Sequence, residues 1–166
     1  MKKVIVTILL VAGQAVFPRQ DTTFKDQDVI ISVIEEYFAQ VDKKNINGMY
    51  RFFAMPIVLH FNAGKPYHIK NREEFDVIFN AWKRSPNADF QRTRIDSIRV
   101  NNAFANYFCV ADVTFSRLDG EGNPINQQRV LYNFVKGDKY GPLGLLIKWF
   151  REWKIYMISN VDMIGE

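Results

Sequence analysis

The hydrophobic pattern of this chain changes once, near Asn87, and that change restricts the folds available to it. Before this residue, apolar side chains recur at the three- and four-residue spacing of amphipathic helices, in residues 30–41 and again in 75–82. After it come four segments rich in β-branched and aromatic residues: FQRTRIDSIRV, ANYFCVADVTFSR, QQRVLYNFV and WKIYMISNV. Helices followed by a run of strands predict an α+β domain in which the helices pack on one face of an antiparallel sheet.

Local signals predict three helices before these strands. Thr23 with Asp26 three residues later resembles a helix start, and a long apolar stripe follows it. Asn45 can cap a short second helix. Asn71 with Glu74 forms a weaker version of the capping box, with Asn in place of Ser or Thr, before the third helix.

Both histidines, His60 and His68, lie in PIVLHFNAGKPYHI, a predicted hairpin between the second and third helices. A three-residue loop at 62–64, with Gly at the left-handed position, puts the two histidines on one face. The two histidines then point away from the core and are surface or interface residues rather than a catalytic pair. Spacing marks no third or fourth ligand beside them, so no metal site is expected. The face predicted to pack on the helices is apolar: Ile57, Leu59, Phe61, Tyr67 and Ile69.

Composition and charge exclude several classes of protein. The chain has 166 residues, of which 48% are hydrophobic, enough for one folded domain with a real core. The net charge is +4, but the basic residues are scattered, so nucleic-acid binding is not expected. Cys109 is the only cysteine, which rules out an internal disulfide and favours a small buried hydrophobe.

Residues 1–15, MKKVIVTILLVAGQA, have a basic start, an apolar run and small residues at the end. This order is typical of a signal peptide, and the run is too short to span a bilayer. We therefore expect a single domain at 16–166 that is exported, to the periplasm or as a secreted protein, with no membrane association once the leader is removed. The alternative is an N-terminal β-strand in a cytoplasmic protein, because KVIVTILLV is rich in β-branched residues.

The order of elements resembles that of the nuclear transport factor 2-like superfamily, including its SnoaL-like, polyketide-cyclase group. The stretches that carry the resemblance are the long first helix, MPIVLHFNAGK, RTRIDSIRV, VADVTFSRLDGEG and EWKIYMIS, over about residues 24–162. The resemblance implies a cone, in which a curved, mainly antiparallel sheet wraps around three N-terminal helices and encloses a pocket. Some members are isomerases, dehydratases, hydrolases or cyclases of small molecules, and others only bind ligands or partners. Catalysis therefore stays open, and no cofactor is expected.

Two residues are candidates for catalysis in such a pocket. Asp112 stands between apolar neighbours in YFCVADVTF, and a carboxylate drawn into an apolar cavity has a raised pKa and can act as a general base. The alternative for Asp112 is exposure on the outer face or an ion pair with Arg129 or Arg94. Tyr37, on the apolar stripe of the first helix, is the second candidate, because the resemblance implies tyrosines that act on a ligand oxygen. The alternative for Tyr37 is a position in the hydrophobic core, with its hydroxyl at the edge of that core.

Three residues are candidates for ligand binding. Arg129 and Asn133 share one face of the third late strand, opposite its apolar residues, and would be pocket polar groups or part of the outer face of the sheet. His60 is the third candidate, if the hairpin turns it toward a ligand. No spacing connects these residues into a known motif.

The predicted function is that of a SnoaL-like pocket protein for a small organic ligand. Its enzymatic form would be a cofactor-free acid–base isomerase, dehydratase, cyclase or hydrolase. The alternative is a non-catalytic domain that forms a homodimer or binds a partner, because several late strands are apolar on both faces and need a second cover. The apolar stretch KYGPLGLLIKWFREW, in an insertion at 137–152, would be a satellite packing element, a pocket lid or a dimer surface.

Overall fold

The computed structural model describes residues 25–61, 65–104, 107–137 and 152–164. The leader predicted at 1–15 and nearly all of the insertion predicted at 137–152 lie outside these residues. The described elements are α1 (Gln27–Asp42), α2 (Ile46–Tyr50), β1 (Phe53–His60), β2 (Tyr67–Ile69), α3 (Arg72–Lys83), a 3-10 turn (Pro86–Ala88), β3 (Arg92–Phe104), β4 (Phe108–Leu118), β5 (Pro124–Gly137) and β6 (Glu152–Ile164). The predicted α+β class is confirmed. None of the described helices has the length and apolar character that crossing a bilayer requires.

The strands form one six-stranded sheet in the order β2-β1-β6-β5-β4-β3. Every neighbouring pair is antiparallel except β1 and β6, which are parallel. The prediction of a mainly antiparallel sheet is therefore confirmed. The register shifts within β3 at Asp96 and within the β5–β6 pair, and such irregularities bend a sheet. The sheet curves toward the helices, and we call the face that it turns to them the inner face and the opposite one the outer face.

The caps predicted for the second and third helices are present. Asn45 accepts a hydrogen bond from the Gly48 amide, and Asn71 accepts one from the Glu74 amide. The Glu74 carboxylate in turn accepts a hydrogen bond from the backbone amide of Lys70, one residue before the cap. Both helices therefore begin where their local signals indicate.

The first helix begins at Gln27, and Asp26 precedes it without capping it. The Asp26 carboxylate instead accepts hydrogen bonds from the Lys136 ammonium group and, at 2.9 Å, from Trp153 Nε1. These donors lie on β5 and β6, so Asp26 fastens the start of α1 to the sheet. Thr23, the other residue of the predicted helix start, lies outside the described residues, and Asp26 forms a long-range ion pair.

The hairpin has the predicted register. Ile57 pairs with Ile69 and Val58 with His68, so the two histidines share the outer face, as a three-residue loop requires. The loop itself, 62–64, lies outside the described residues. Ile57 and Ile69 are fully buried on the inner face.

The core lies between the helices and the inner face of the sheet. Its largest fully buried side chains come from all three helices and from the five strands β1, β2, β4, β5 and β6, and include Ile30, Ile34, Phe75, Phe115, Phe134 and Ile155. Cys109 is one of these buried residues, as predicted, and burial raises the pKa of its thiol to about 12.

Candidate functional site

A cavity of about 300 Å³ opens between the helices and the inner face of the sheet. Its walls are mostly apolar and come from both layers, with Val41, Met49, Ile78, Trp82, Val130 and Ile158 among them. Six polar side chains also line it: Tyr37, Asn87, Arg117, Gln128, Tyr132 and Asn160. A mainly apolar cavity with a few polar groups is the usual form of a small-molecule site.

Strand alternation explains why Arg117 reaches this cavity. Successive side chains of β4 point to opposite faces, and Cys109, Ala111, Val113 and Phe115 are all buried on the inner face. Arg117 continues that row at the end of the strand and carries its only charge. The guanidinium therefore enters a space that is otherwise lined by apolar and uncharged groups.

A short chain of hydrogen bonds holds the Arg117 side chain in place. Its Nη1 donates to the Thr93 hydroxyl at 2.6 Å, and that hydroxyl donates to Asp42 Oδ1 at 2.6 Å. The guanidinium carbon also lies 4.0 Å from the centre of the Phe90 ring and 4.8 Å from that of Phe115. These cation–π contacts fix the plane in which the remaining N–H groups point.

Most of the hydrogen-bonding capacity of Arg117 is unused. The bond to Thr93 is its only one to a described residue, although a guanidinium carries five N–H donors. No carboxylate of the described chain lies within ion-pair distance of it; Asp42 acts on it through Thr93. Burial lowers the pKa of Arg117, but an arginine remains charged in proteins.

Two tyrosines face the same space. The rings of Tyr37 and Tyr132 are buried, with centroids 5.9 Å apart, and neither hydroxyl bonds to a described residue. Every fully buried polar side-chain atom of the described chain has a partner, so these hydroxyls must reach the open cavity. Burial raises the pKa of both tyrosines, and Arg117 opposes this effect only in part. At neutral pH both hydroxyls are protonated and can donate a hydrogen bond.

Of the predicted site residues, Tyr37 lines the cavity, whereas Asp112 lies on the outer face. Asp112 accepts two hydrogen bonds from Arg129, from Nε at 3.0 Å and from Nη2 at 2.8 Å. The expectation of a raised pKa needs correction, because the bonded Arg129 guanidinium lowers the pKa of Asp112. The cross-strand ion pair, the alternative for this residue, is what the structure shows.

Arg129, Asn133 and His60 also lie on the outer face and do not line the cavity. Asn133 is opposite Val110 in the sheet, and His60 is opposite Ser159. The sheet separates all three from Tyr37, so the structure does not bring the predicted ligand-binding residues together with it. Within the described ranges, no group of three or more His, Cys, Asp or Glu side chains could hold a metal ion.

Five of the six polar residues that line the cavity, among them Arg117 and Tyr132, were missed by sequence reasoning. The signal for Arg117 was present, because alternation assigns it to the row of Ala111, Val113 and Phe115, where it is the single charge. Tyr132 was assigned to the apolar face of its strand, and only its missing hydrogen-bond partner distinguishes it from a core tyrosine. That observation requires the packed structure.

Neither protein-family models nor curated proteins match this chain, but solved structures do. An NTF-2 like protein of unknown function from Shewanella oneidensis MR-1 has a TM-score of 0.58 and 14% identity, covering 81% of this chain and 98% of that one. A ketosteroid isomerase-like protein from Erwinia carotovora atroseptica SCRI1043 has a TM-score of 0.55 and 10% identity, covering 84% and 98%. A protein from Xanthomonas campestris, named as a candidate calcium/calmodulin dependent protein kinase II association domain, has a TM-score of 0.57 and 15% identity, covering 83% and 88%.

These similarities extend over most of each chain, while the identities are too low to indicate more than the fold. They agree with the order of the elements and with the mainly antiparallel sheet. The resemblance predicted from the sequence is confirmed at this level: the chain has the nuclear transport factor 2-like fold.

Proposed function

We propose that this domain binds a small organic molecule in the cavity between its helices and the inner face of its sheet. The observation that carries the proposal is the pair of unpartnered hydroxyls, Tyr37 and Tyr132, which open into a largely apolar space. Because these hydroxyls open into the cavity, an acceptor on a ligand can bond to them in place of water. Apolar walls supply affinity, and the hydroxyls supply orientation.

Binding is the form of this function that the geometry supports best. An acid–base enzyme needs a group that accepts a proton near neutral pH. The described residues that line the cavity include no carboxylate and no imidazole, and its two tyrosines have raised pKa values. A cofactor-free isomerase, dehydratase, cyclase or hydrolase is the enzymatic version of the proposal. Tyr37 and Tyr132 would then stabilise negative charge on a ligand oxygen, and the base would have to come from another group.

A fragment screen by protein-observed NMR tests the proposal. We expect fragments to shift the signals of cavity residues such as Val41, Trp82 and Ile158. Ile78→Trp should weaken these effects by filling the cavity, whereas Val77→Trp should not, because the neighbouring Val77 is 70% exposed on the same helix. Fragments that leave the cavity signals unchanged, or that bind equally to both variants, would contradict the proposal.

The second candidate function is homodimerisation through the outer face of the sheet. Half-buried apolar side chains from three strands lie there: Phe108, Val110, Leu131, Val135 and Tyr156. An apolar sheet face is more stable when another surface packs against it, and a second copy of the chain would provide that surface. The similar Xanthomonas campestris protein is itself named as an association domain.

Light scattering coupled to gel filtration tests this candidate. A dimer is expected for the unchanged protein at micromolar concentration, and Val110→Arg should dissociate it by placing a charge at the interface. Val77→Arg introduces the same charge on exposed α3 and should leave the mass unchanged. A monomeric wild-type protein would exclude this candidate, and a dimer that survives Val110→Arg would place the contact elsewhere.

A further inference from the structure

We propose that the molecule bound in the cavity is an apolar organic acid whose carboxylate is held by Arg117 and the two tyrosine hydroxyls. This inference rests on the proposed function, because it names the chemical class of the ligand for the same cavity. The structure supports it through three observations: the unused donors of Arg117, the charges around that residue and the composition of the remaining walls.

The first observation concerns the hydrogen-bond donors that face the cavity. Arg117 uses one hydrogen bond, to Thr93, while its other N–H groups have no acceptor in the described chain. Tyr37 and Tyr132 line the same cavity, and the charge of Arg117 acts on both of their hydroxyls. Arg117 is the only charged side chain among the described lining residues, and together with the two hydroxyls it offers several donors to a ligand; the uncharged amides Asn87, Gln128 and Asn160 also line the cavity. A carboxylate is an acceptor only, and it binds a guanidinium through paired, charge-assisted bonds.

The surrounding charges favour an anion at this end of the cavity. Lys44 lies against the same aromatic ring as Arg117, with its Nζ 3.3 Å from the centre of Phe90. Burial lowers the pKa of Lys44, and repulsion from Arg117 adds to the effect, whereas Asp42 and Asp89 oppose it. Of these two acids, Asp42 has both oxygens occupied by Thr93, and Asp89 is exposed. Neither carboxylate bonds to the guanidinium, so an incoming anion would provide the contact that Arg117 lacks.

The other walls indicate what the carboxylate is attached to. Apolar side chains from α3 and the sheet, including Ile78, Phe79, Trp82 and Val130, make up most of the remaining lining, and the uncharged amides Asn87, Gln128 and Asn160 complete it. Such walls favour an aliphatic or aromatic body over a sugar or another polar group. One guanidinium with two neutral hydroxyls suits a singly charged carboxylate, because Arg117 is the only cation among the described residues that line the cavity and a phosphate with a second charge would need another one.

Calorimetry with matched acids and amides tests the inference. The probes are benzoate, phenylacetate, cinnamate and 2-naphthoate, each beside the amide of the same shape, with phenyl phosphate as a further anion. We expect at least one acid to bind the full chain about tenfold more tightly than its amide at neutral pH. Arg117→Gln should remove this preference for the acid over its amide, and Arg117→Lys should retain part of it.

Two further variants allow the test to be completed even if the Arg117→Gln protein does not fold. Arg129→Gln removes an arginine from the outer face of the same sheet, so it should retain the acid preference. Tyr132→Phe keeps the ring and removes only the hydroxyl, so it should weaken acid binding even if Arg117→Gln fails to fold. Thermal unfolding of each variant identifies those that are folded.

Every outcome of these measurements either supports or overturns the inference that the ligand is an apolar carboxylic acid. Acid preference that depends on Arg117, or on the Tyr132 hydroxyl where Arg117→Gln is unfolded, supports the inference. Acids and amides that bind equally, or amides alone, would overturn it while leaving the cavity as a small-molecule site. A preference for phenyl phosphate over every carboxylate would also overturn the inference, because the bound group would then be a different anion. If no probe binds, the inference falls; if the fragment screen also leaves the cavity signals unchanged, the proposed function falls with it.

Discussion

Asp112 and Arg117 are charged residues of the same strand, and the direction of their side chains separates their roles. Asp112 points to the outer face, where Arg129 completes its hydrogen bonds. Arg117 points to the inner face, where the described chain offers it a single acceptor. A satisfied ion pair contributes to structure, whereas a cation with unused donors is available to a ligand. The inner residue is therefore the stronger candidate for function.

Asp26 provides a test of structure at the residue scale. The hydrogen bond from Lys136 holds the pKa of Asp26 below its ordinary value, with a smaller contribution from Trp153. A carboxyl with a lowered pKa stabilises the fold above its unfolded pKa of about 3.9, and this stabilisation is lost as the pH falls through the folded pKa. Asp26→Asn should therefore lower the free energy of unfolding by about 1–3 kcal/mol at pH near 7. The difference from the wild type should shrink below about pH 4.

Urea denaturation at neutral and acidic pH measures this effect. Glu36→Gln is the matched control, because Glu36 and its partner Arg51 are both largely exposed and such pairs contribute little. An Asp26→Asn variant as stable as the wild type at neutral pH would show that the link between α1 and the sheet is not stabilising.

At the scale of the element, α3 shows how a single apolar stripe fixes a helix on the sheet. Phe75 and Phe79 are one turn apart, and their rings stack with centroids 4.1 Å apart. Phe75 also contacts Tyr50 of α2 and Phe53 of β1. The same helix presents Val77 to solvent, so its two sides have distinct roles. One stripe thus joins three elements and forms part of the cavity wall.

Phe75→Ala should test that packing. Phe75 is fully buried, so its removal leaves a void, and the free energy of unfolding should fall by about 3–5 kcal/mol. Val77→Ala, on the exposed side of the helix, should change it by less than about 0.5 kcal/mol. Chemical denaturation of both variants gives the comparison. Equal losses would show that α3 is not held by this stripe.

At the scale of the whole molecule, the sheet separates two surfaces with different chemistry. Its inner face, with the helices, encloses the cavity that contains Arg117. Its outer face carries the Asp112–Arg129 pair and the apolar cluster proposed as a dimer contact. We therefore expect mutations on the two faces to separate the proposed ligand binding from the proposed self-association.

Export is a whole-molecule proposal that rests on the pattern of residues 1–15. The buried hydrophobic residues of the described chain run from Ile30 to Ile158. We expect a protein that begins at Val16 to unfold at the same temperature as the full chain. An apolar segment packed in the domain would instead contribute about 25 cal/mol per Å² of buried apolar surface, so its loss would be evident. Intact mass from the native host and thermal unfolding of the shortened protein test this; a retained leader with a shortened form that fails to fold would contradict export.

Much of the fold followed from local patterns. Period and capping signals identified α2 and α3 with their caps at Asn45 and Asn71, because these depend on residues three or four positions apart. The register of the hairpin followed from its loop length and its apolar face. For Asp26, local reasoning indicated a helix start, but its partners Lys136 and Trp153 are more than a hundred residues away.

The sequence by itself determined the α+β class, the alternation of each strand and the identity of the apolar rows, because these depend on spacing along the chain. For the last four strands, which row faces the helices required the three-dimensional structure, since it depends on how the sheet curves and what covers it. As a result, Asp112 and Arg129 lie on the outer face, away from the cavity, whereas Arg117 and Tyr132 line it. Whether a polar group is satisfied is a property of its neighbours in space, so the unused donors of Arg117 became visible only once those neighbours were in place.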